Sequence, residues 1–259
     1  MDPATLIGIS LALVSLLIMM IMEGSSPLAI ILLPPLILVF GGTFGAAIAG
    51  LAMSDVGKIG AWMKQGLMPP KVPPITEKIQ TLVSLAEKAR KEGLLALEAE
   101  VKNIDDPFLK RGLQMSIDGT DPEDLRAVLE AEIAAKKAED KVATKFFTAM
   151  GGYAPTVGII GTVVGLVHVL ENLSNPDSLG PLIAAAFIAT LWGVLSANVF
   201  WLPMGAKIAR NSDLEAAQMM MLVEGISEIQ AGTSPRTVRQ KLTSLIPPSE
   251  LAKAAKAAA

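Results

Sequence analysis

The sequence contains no cysteine, a single histidine and few charged residues. Charged residues make up 18% of the 259 positions, hydrophobic residues make up 51%, and the mean hydropathy is +0.50. The absence of cysteine excludes disulfides, thiolate zinc sites and cysteine nucleophiles. With His168 as the lone histidine, the sequence also argues against a histidine metal cluster or a Ser-His-Asp triad. We therefore predict no catalytic residues, no metal-binding residues and no enzymatic activity.

The positive charges are confined to two parts of the chain. Of the 22 Lys and Arg residues, 15 lie in 54–145 and 7 lie from Lys207 onward, while 1–53 and 146–206 contain none. A soluble protein of this size distributes lysine over its whole surface. The segregation therefore disfavours a soluble protein, and the net charge of −3 gives no indication of nucleic-acid binding.

Four runs without Lys, Arg, Asp or Glu are long enough to cross a bilayer, which takes about 20 helical residues. They cover 4–22, 27–53, 146–170 and 178–206. The first run lacks the basic start and the cleavage site of a signal peptide. The turn-forming sequence Glu23-Gly24-Ser25-Ser26 predicts that the first two runs form a hairpin. Because basic loops stay in the cytoplasm, the pattern predicts a multi-pass protein with both termini cytoplasmic.

The polar parts of the chain show helical rather than β periodicity. Apolar residues from Ile79 to Ala89 recur at helical spacing after a connector rich in proline at 69–74. Asp121-Pro122 is a strong helix start, and nothing after it interrupts a helix before the third run. The fourth run is expected to continue through 211–229, and the Ala- and Lys-rich 251–259 to be mobile.

The predicted fold is therefore an all-α integral membrane protein with four transmembrane helices. A helical cytoplasmic domain separates spans two and three, and spans three and four have long helical extensions. The predicted domains are a transmembrane hairpin (1–53), a cytoplasmic helical domain (54–145), the third and fourth spans (146–206), and cytoplasmic C-terminal helices with a tail (207–259).

The predicted spans contain no carboxylate, although ion pathways through membranes usually need one. Thr156, Thr162 and Thr190 are the polar groups available at depth. Their hydroxyls either bond their own helix at position i−4 or line an ion path whose charged group belongs to another chain. His168 lies within one turn of Glu171 near the outer boundary, which favours an interfacial, hydrogen-bonded role.

Proline and glycine in the spans also have two interpretations each. Pro155 and Pro203 are either tolerated kinks or hinges that let events in the membrane move the cytoplasmic extensions. The pairs Gly41–Gly45 and Gly161–Gly165 allow close helix contact, either within the chain or between subunits.

These motifs resemble those of the MotA/TolQ/ExbB family. The resemblance covers nearly the whole chain, and its N-terminal hairpin favours the MotA branch of flagellar motor stator subunits over the three-span ExbB and TolQ branches. It rests on the run 154–166, which begins Ala154-Pro155-Thr156, on Asn175-Pro176-Asp177, on Ala189-Thr190-Leu191-Trp192-Gly193, and on the cytoplasmic run 89–98. Trp192 departs from the tyrosine usual in the family but keeps an aromatic ring with a polar group.

The resemblance implies a role for six residues and a set of partners. Thr162 and Thr190 would line the ion path, and Pro155 and Pro203 would couple ion passage to movement. Arg90 and Glu98 would contact the rotor protein FliG. A MotB-like subunit would supply the ion-binding aspartate, and five copies of this chain would form a ring around two copies of that partner.

The implied function is conversion of ion flow across the bacterial inner membrane into torque, with no cofactor beyond the transported H⁺ or Na⁺. Threonine at both path positions is compatible with either ion. The alternative is an ExbB/TolQ-like subunit that powers outer-membrane transport or integrity. A stand-alone transporter is disfavoured because the spans contain no charge.

Overall fold

The computed structural model describes residues 2–68 and 75–247, which form helices and, within those ranges, no β-strand. The all-α prediction is confirmed. The predicted connector at 69–74 and the tail at 251–259 lie outside the described residues. The helices are α1 (Pro3–Met22), α2 (Leu33–Ala49), α3 (Ile59–Leu67), α4 (Ile75–Glu92), α5 (Pro107–Ile117), α6 (Pro122–Glu171), α7 (Pro176–Gln230) and α8 (Pro235–Ser244).

The chain divides into two compact units. One contains residues 1–70 and 140–210, and the other contains residues 71–139 and 211–259. Helices α6 and α7 each contribute to both units. Three helices, α1, α6 and α7, are long and apolar enough to cross a membrane. Helix α2 is also apolar but is shorter, with 17 residues.

The apolar run 27–53 is not one helix. Pro27–Ile30 forms a 3₁₀ turn, residues 31–32 are irregular, and α2 begins at Leu33. Pro34 and Pro35 explain this start, because proline lacks an amide hydrogen and is tolerated only in the first turn of a helix. The helix is therefore shorter at both ends than the uncharged run that was predicted as the second span.

The two long helices agree with the sequence pattern. The helix that begins at Pro122 continues without a break to Glu171, as the absence of breaking residues after Asp121 predicts. The fourth run likewise continues as helix beyond its uncharged part, and α7 ends only at Gln230. Residues Ala197–Trp201 within α7 have π-helical hydrogen bonding, as do residues Ile37–Gly41 within α2.

The second unit has its own apolar core. Buried residues of α4 at helical spacing, including Leu82 and Leu85, pack with Leu113, Leu129 and Ile226 from the neighbouring helices. Helix α4 ends at Glu92 because Gly93 adopts a φ of +86°, which other residues rarely adopt. Buried Val238 and Leu242 of α8 complete this core.

Candidate functional site

Helices α6 and α7 approach each other closely through glycine and alanine. A β-carbon added to Gly158 would lie 2.8 Å from the carbonyl oxygen of Ala189, and one added to Gly165 would lie 2.7 Å from the β-carbon of Ala186. A β-carbon added to Gly193 on α7 would lie 2.6 Å from the carbonyl oxygen of Ala154. The Gly161–Gly165 pair is therefore used for contact within the chain.

The other small-residue pair has a different environment. A β-carbon on Gly41 or Gly45 of α2 would meet no atom of the described residues within 4 Å. This pair leaves an open face, so it does not contribute to the close contact between α6 and α7.

The close approach brings Thr162 and Thr190 together. Their hydroxyl oxygens are within hydrogen-bonding distance of each other, and both side chains are half-buried. The Thr162 hydroxyl is also 3.2 Å from the carbonyl oxygen of Gly158 and 3.1 Å from that of Ala186, while the Thr190 hydroxyl is 3.4 Å from the Gly158 oxygen. Thr162 therefore makes both its own-helix bond and a contact with the facing helix.

The two hydroxyls form a site with an excess of acceptors. Each hydroxyl has one proton and two lone pairs. If Thr190 donates to Thr162, then Thr162 donates to a carbonyl and the Thr190 oxygen keeps both lone pairs. If Thr162 donates to Thr190, then Thr190 donates to Gly158 and the Thr162 oxygen is available instead. In either arrangement one oxygen can accept a hydrogen bond from a further donor or contact a cation.

Pro155 and Pro203 lie on helix segments that pack together. Proline at position 155 of α6 cannot donate to the carbonyl of Gly151. A β-carbon at Gly151 would overlap the side chain of Leu202, the residue before Pro203. Gly151 thus allows α7 to pack against α6 at the turn where Pro155 removes a backbone hydrogen bond.

The π-helical segment of α7 directly precedes Pro203. Such segments commonly lie at functional sites, because the altered register leaves backbone groups to be satisfied in other ways. Here the Asn198 side-chain amide donates to the Val194 carbonyl oxygen at 2.8 Å. Nothing in the sequence predicts a π-helical turn at this position.

The indole of Trp192 has a role that the sequence did not predict. Its Nε1 donates to the carbonyl oxygen of Ile30 at 2.7 Å, where the chain leaves its 3₁₀ turn. The ring also lies 6.1 Å from that of Phe40, measured between centroids. The indole N–H of Trp192 therefore provides a hydrogen bond to a backbone carbonyl in the segment that precedes α2.

The two predicted rotor-contact residues lie in the second unit. Arg90 is exposed in the last turn of α4, and Glu98 is exposed at the start of the short helix Glu98–Val101. Gly93 separates them by ending α4. Glu98 Oε1 lies 3.7 Å from Lys102 Nζ, a surface ion pair of small energetic consequence.

Two further features concern the C-terminal end of α6 and possible metal sites. His168 Nδ1 lies 3.4 Å from Glu171 Oε2, and both side chains are exposed. Within residues 2–68 and 75–247, no group of three or more His, Asp or Glu side chains is arranged to hold a metal ion.

The structure defines a helical membrane protein in which a hydroxyl pair lies between two uncharged, closely packed helices. The profile of the MotA/TolQ/ExbB proton channel family matches residues 100–221. Motility protein A of Bacillus subtilis is 35% identical over 247 residues, which cover 95% of this chain and 92% of that protein. The chain therefore belongs to the motility protein A group of this channel family, and the prediction that it is not an enzyme is confirmed.

Two solved structures have the same fold. The C. jejuni MotAB structure superimposes with a TM-score of 0.91 at 29% identity, over 96% of this chain and 97% of that chain. The flagellar MotAB stator complex from Bacillus subtilis gives a TM-score of 0.89 at 34% identity, over 96% and 98% of the two chains.

Proposed function

We propose that this chain is a flagellar motor stator subunit that, together with a MotB-type partner, converts ion flow across the inner membrane into torque. The observation that carries the proposal is the near-complete match to the chains of two MotAB complexes. The ExbB/TolQ-like alternative is not favoured, because the relatives that match over most of the chain are motility proteins.

The proposed topology has four spans with both termini in the cytoplasm. The length and apolar character of α1, α6 and α7 support three of them. Helix α2 would be the fourth, because its 17 residues extend about 26 Å, slightly less than a bilayer core of about 30 Å. The turn at Pro27–Ile30 would complete this crossing, and 54–145 and 207–259 would be cytoplasmic.

The ion path is proposed to pass Thr162 and Thr190. The excess of acceptors at this pair suits a protonated carboxyl or a cation held by the aspartate of a MotB-type partner. Neutralising that carboxylate removes an unfavourable anion from a low-dielectric site, so ion binding would change which arrangement of the two subunits is stable. Each charge that crosses releases roughly 2.3 kcal/mol per 100 mV.

The prolines and the exposed charges would convert this change into torque. The packing of Gly151 against Leu202 supports a hinge at Pro155 and Pro203, because movement at one proline shifts the helix that contains the other. Arg90 and Glu98 are exposed, as side chains that contact FliG transiently must be. Five such chains would form a ring around two partner chains.

Complementation tests the function. Expressed with its cognate partner in a non-motile strain that lacks the equivalent subunit, this chain should restore swimming, and failure to do so at normal membrane levels contradicts the proposal. Swimming speed measured against sodium concentration at fixed pH then assigns the ion, since a sodium-driven complex loses speed as sodium is removed.

The FliG contact needs a separate test. Replacing Arg90 with Glu should reduce swimming, and reversing an acidic residue on FliG should restore it. The adjacent Lys91→Glu is the matched control, since it is also exposed and its ion pair is with Glu87 on the same helix. Equal loss of swimming in both variants would argue against a specific contact at Arg90.

A further inference from the structure

Lys207 ties the start of α1 to α7, one turn after Pro203. Its Nζ donates to Asp2 Oδ2 at 2.7 Å and to Thr5 Oγ1 at 2.6 Å. The Asp2 amide in turn donates to the carbonyl oxygen of Leu67 at the end of α3, at 3.1 Å. The start of α1, the end of α3 and the middle of α7 thus meet at this cluster, in which the Lys207 side chain is 18% exposed.

The charges of this cluster are well matched. The hydrogen bond from Lys207 holds the pKa of the Asp2 carboxyl below its usual range, although partial desolvation opposes this. Thr5 Oγ1 also lies 3.3 Å from Asp2 Oδ2, so the carboxylate has two neighbours that can donate to it. The Asp2 carboxylate is therefore charged at neutral pH, and its hydrogen bond from Lys207 holds the two helices together.

A cavity of about 260 Å³ lies directly beside this cluster. Its walls are mostly apolar and include Gly8 and Ala12 of α1 together with Pro203 and Met204 of α7. The small residues on α1 leave the space unfilled. Lys207 and Thr5 also line the cavity, so the tie forms part of its wall.

The cluster of Lys207, Asp2 and Thr5 and the cavity therefore lie next to the part of α7 that has irregular backbone hydrogen bonding. The π-helical Ala197–Trp201 and the missing amide of Pro203 weaken the helix here, and the cavity provides room for movement. Gly66 of α3 also lines the cavity, and a β-carbon on Gly66 would lie 3.0 Å from Met204 Cε. The cavity therefore lies where α1 and α3 both face α7 near Pro203.

We propose that Lys207, with Asp2 and Thr5, is a positioning residue for the coupling hinge. By fixing α7 to α1 just beyond Pro203, it makes α7 bend into the cavity instead of sliding along α1. This inference rests on the proposed stator function. Without the tie, complexes would assemble and bind ions, but less of each ion-driven movement would reach the rotor.

Torque per complex distinguishes this role from a purely structural one. When stators are added one at a time to a rotating motor, the height of each speed step reports torque per complex and the number of steps reports assembly. Lys207→Met should lower the step height and leave the number of steps unchanged. Lys207→Arg should retain most of the height, because a guanidinium can still reach Asp2.

Several outcomes overturn the proposal. A wild-type step height in Lys207→Met would show that Lys207 has no role in coupling. Fewer steps of normal height would show that its role is structural. Arg210→Met is the matched control, one turn further along α7 and exposed. If Lys207→Met does not accumulate in the membrane, Asp2→Asn must lower the step height, and a normal height there overturns the proposal. Failure of wild-type complementation would instead contradict the stator function itself.

Discussion

The hydroxyls of Thr162 and Thr190 share two protons among four oxygens. Removing either hydroxyl leaves the other to donate to a carbonyl, so the site keeps one acceptor oxygen instead of two and loses the hydrogen bond between the two side chains. The two threonines therefore function as one hydrogen-bonded pair. Residues in one hydrogen-bond network show coupling energies of about 0.5–3 kcal/mol in double-mutant cycles.

We predict that Thr162→Val and Thr190→Val each reduce swimming severely and that the double variant is no worse than either single one. Thr→Ser at both positions should preserve function, because serine keeps the hydroxyl. Swimming speed at varied ion concentration measures the effect. Thr156→Val is the matched control, since Thr156 is exposed on the same helix and bonds the carbonyl of Tyr153. Additive losses in the double variant would contradict the shared network.

The threonine pair also shows how far sequence reasoning extends at this scale. The absence of charge in the predicted spans drew attention to Thr156, Thr162 and Thr190 as polar groups at depth, and the family resemblance selected Thr162 and Thr190 from these three. The sequence could not reveal that the carbonyls of Gly158 and Ala186 complete the cluster, because that depends on how closely two distant segments approach. Lys207 was visible as the first cation after an uncharged run, but its bond to Asp2 joins residues 205 positions apart.

The crossing of α6 and α7 depends on the absence of side chains at particular glycines. At Gly158 the obstructing atoms are the carbonyl oxygen of Ala189 and the α-carbon of Thr190, which are backbone atoms and cannot rotate away. A methyl group there must separate the helices.

We predict that Gly158→Ala destabilises the protein by about 1–3 kcal/mol, as overpacking in a filled core does. Thermal unfolding of the detergent-solubilised full chain measures this change. Gly152→Ala, on the same helix with no atom within 4 Å of the added carbon, should be neutral or slightly stabilising, because alanine favours helix. Equal stability of the two variants would contradict the close contact.

Pro155 defines a second prediction for this helix. Pro155→Ala restores an amide that can donate to the Gly151 carbonyl, which stiffens α6 where it meets Leu202. The complex should assemble normally while swimming speed falls. Pro181→Ala, which changes another proline inside a helix of this unit, near the start of α7, should have a smaller effect. Loss of assembly in Pro155→Ala would indicate a structural role for this proline.

Helix boundaries were predicted well where the sequence contains specific start signals. Asp121-Pro122 marks the start of α6 correctly. The run 27–53 was predicted as a span from hydropathy alone, so the start of α2 at Leu33 was not predicted, although Pro34 and Pro35 contain the relevant backbone information. The two π-helical segments were not predicted either.

On the scale of the whole molecule, the second unit has a buried ion pair that is sensitive to acid. Glu228, which is buried, accepts a hydrogen bond from Lys241 of α8 at 2.5 Å. Burial raises the pKa of Glu228, but the bonds from Lys241 and Thr233 outweigh it, and the pKa lies below the usual 4.5. A lowered pKa contributes stability above 4.5, and that contribution is lost as the pH falls through the folded-state value.

We predict that Glu228→Gln lowers stability by about 1 kcal/mol at neutral pH, since Lys241 is half exposed and solvent weakens the pair. The difference between wild type and variant should shrink as the pH falls below 4.5, when the wild-type carboxylate is protonated. Melting temperatures of the full chain at several pH values measure it. A difference that stays constant down to acid pH would show that the charge of Glu228 contributes nothing.

The bond between Trp192 and Ile30 gives this protein an optical reporter of its own. Tryptophan emission shifts with the hydrogen bonding and polarity around the indole, and the chain contains only three tryptophans. Because Trp192 lies on α7 and bonds the segment that leads into α2, any displacement between these two segments alters its surroundings. A chain with phenylalanine at positions 62 and 201 would therefore report helix movement during ion binding as a change in fluorescence colour, without an attached dye.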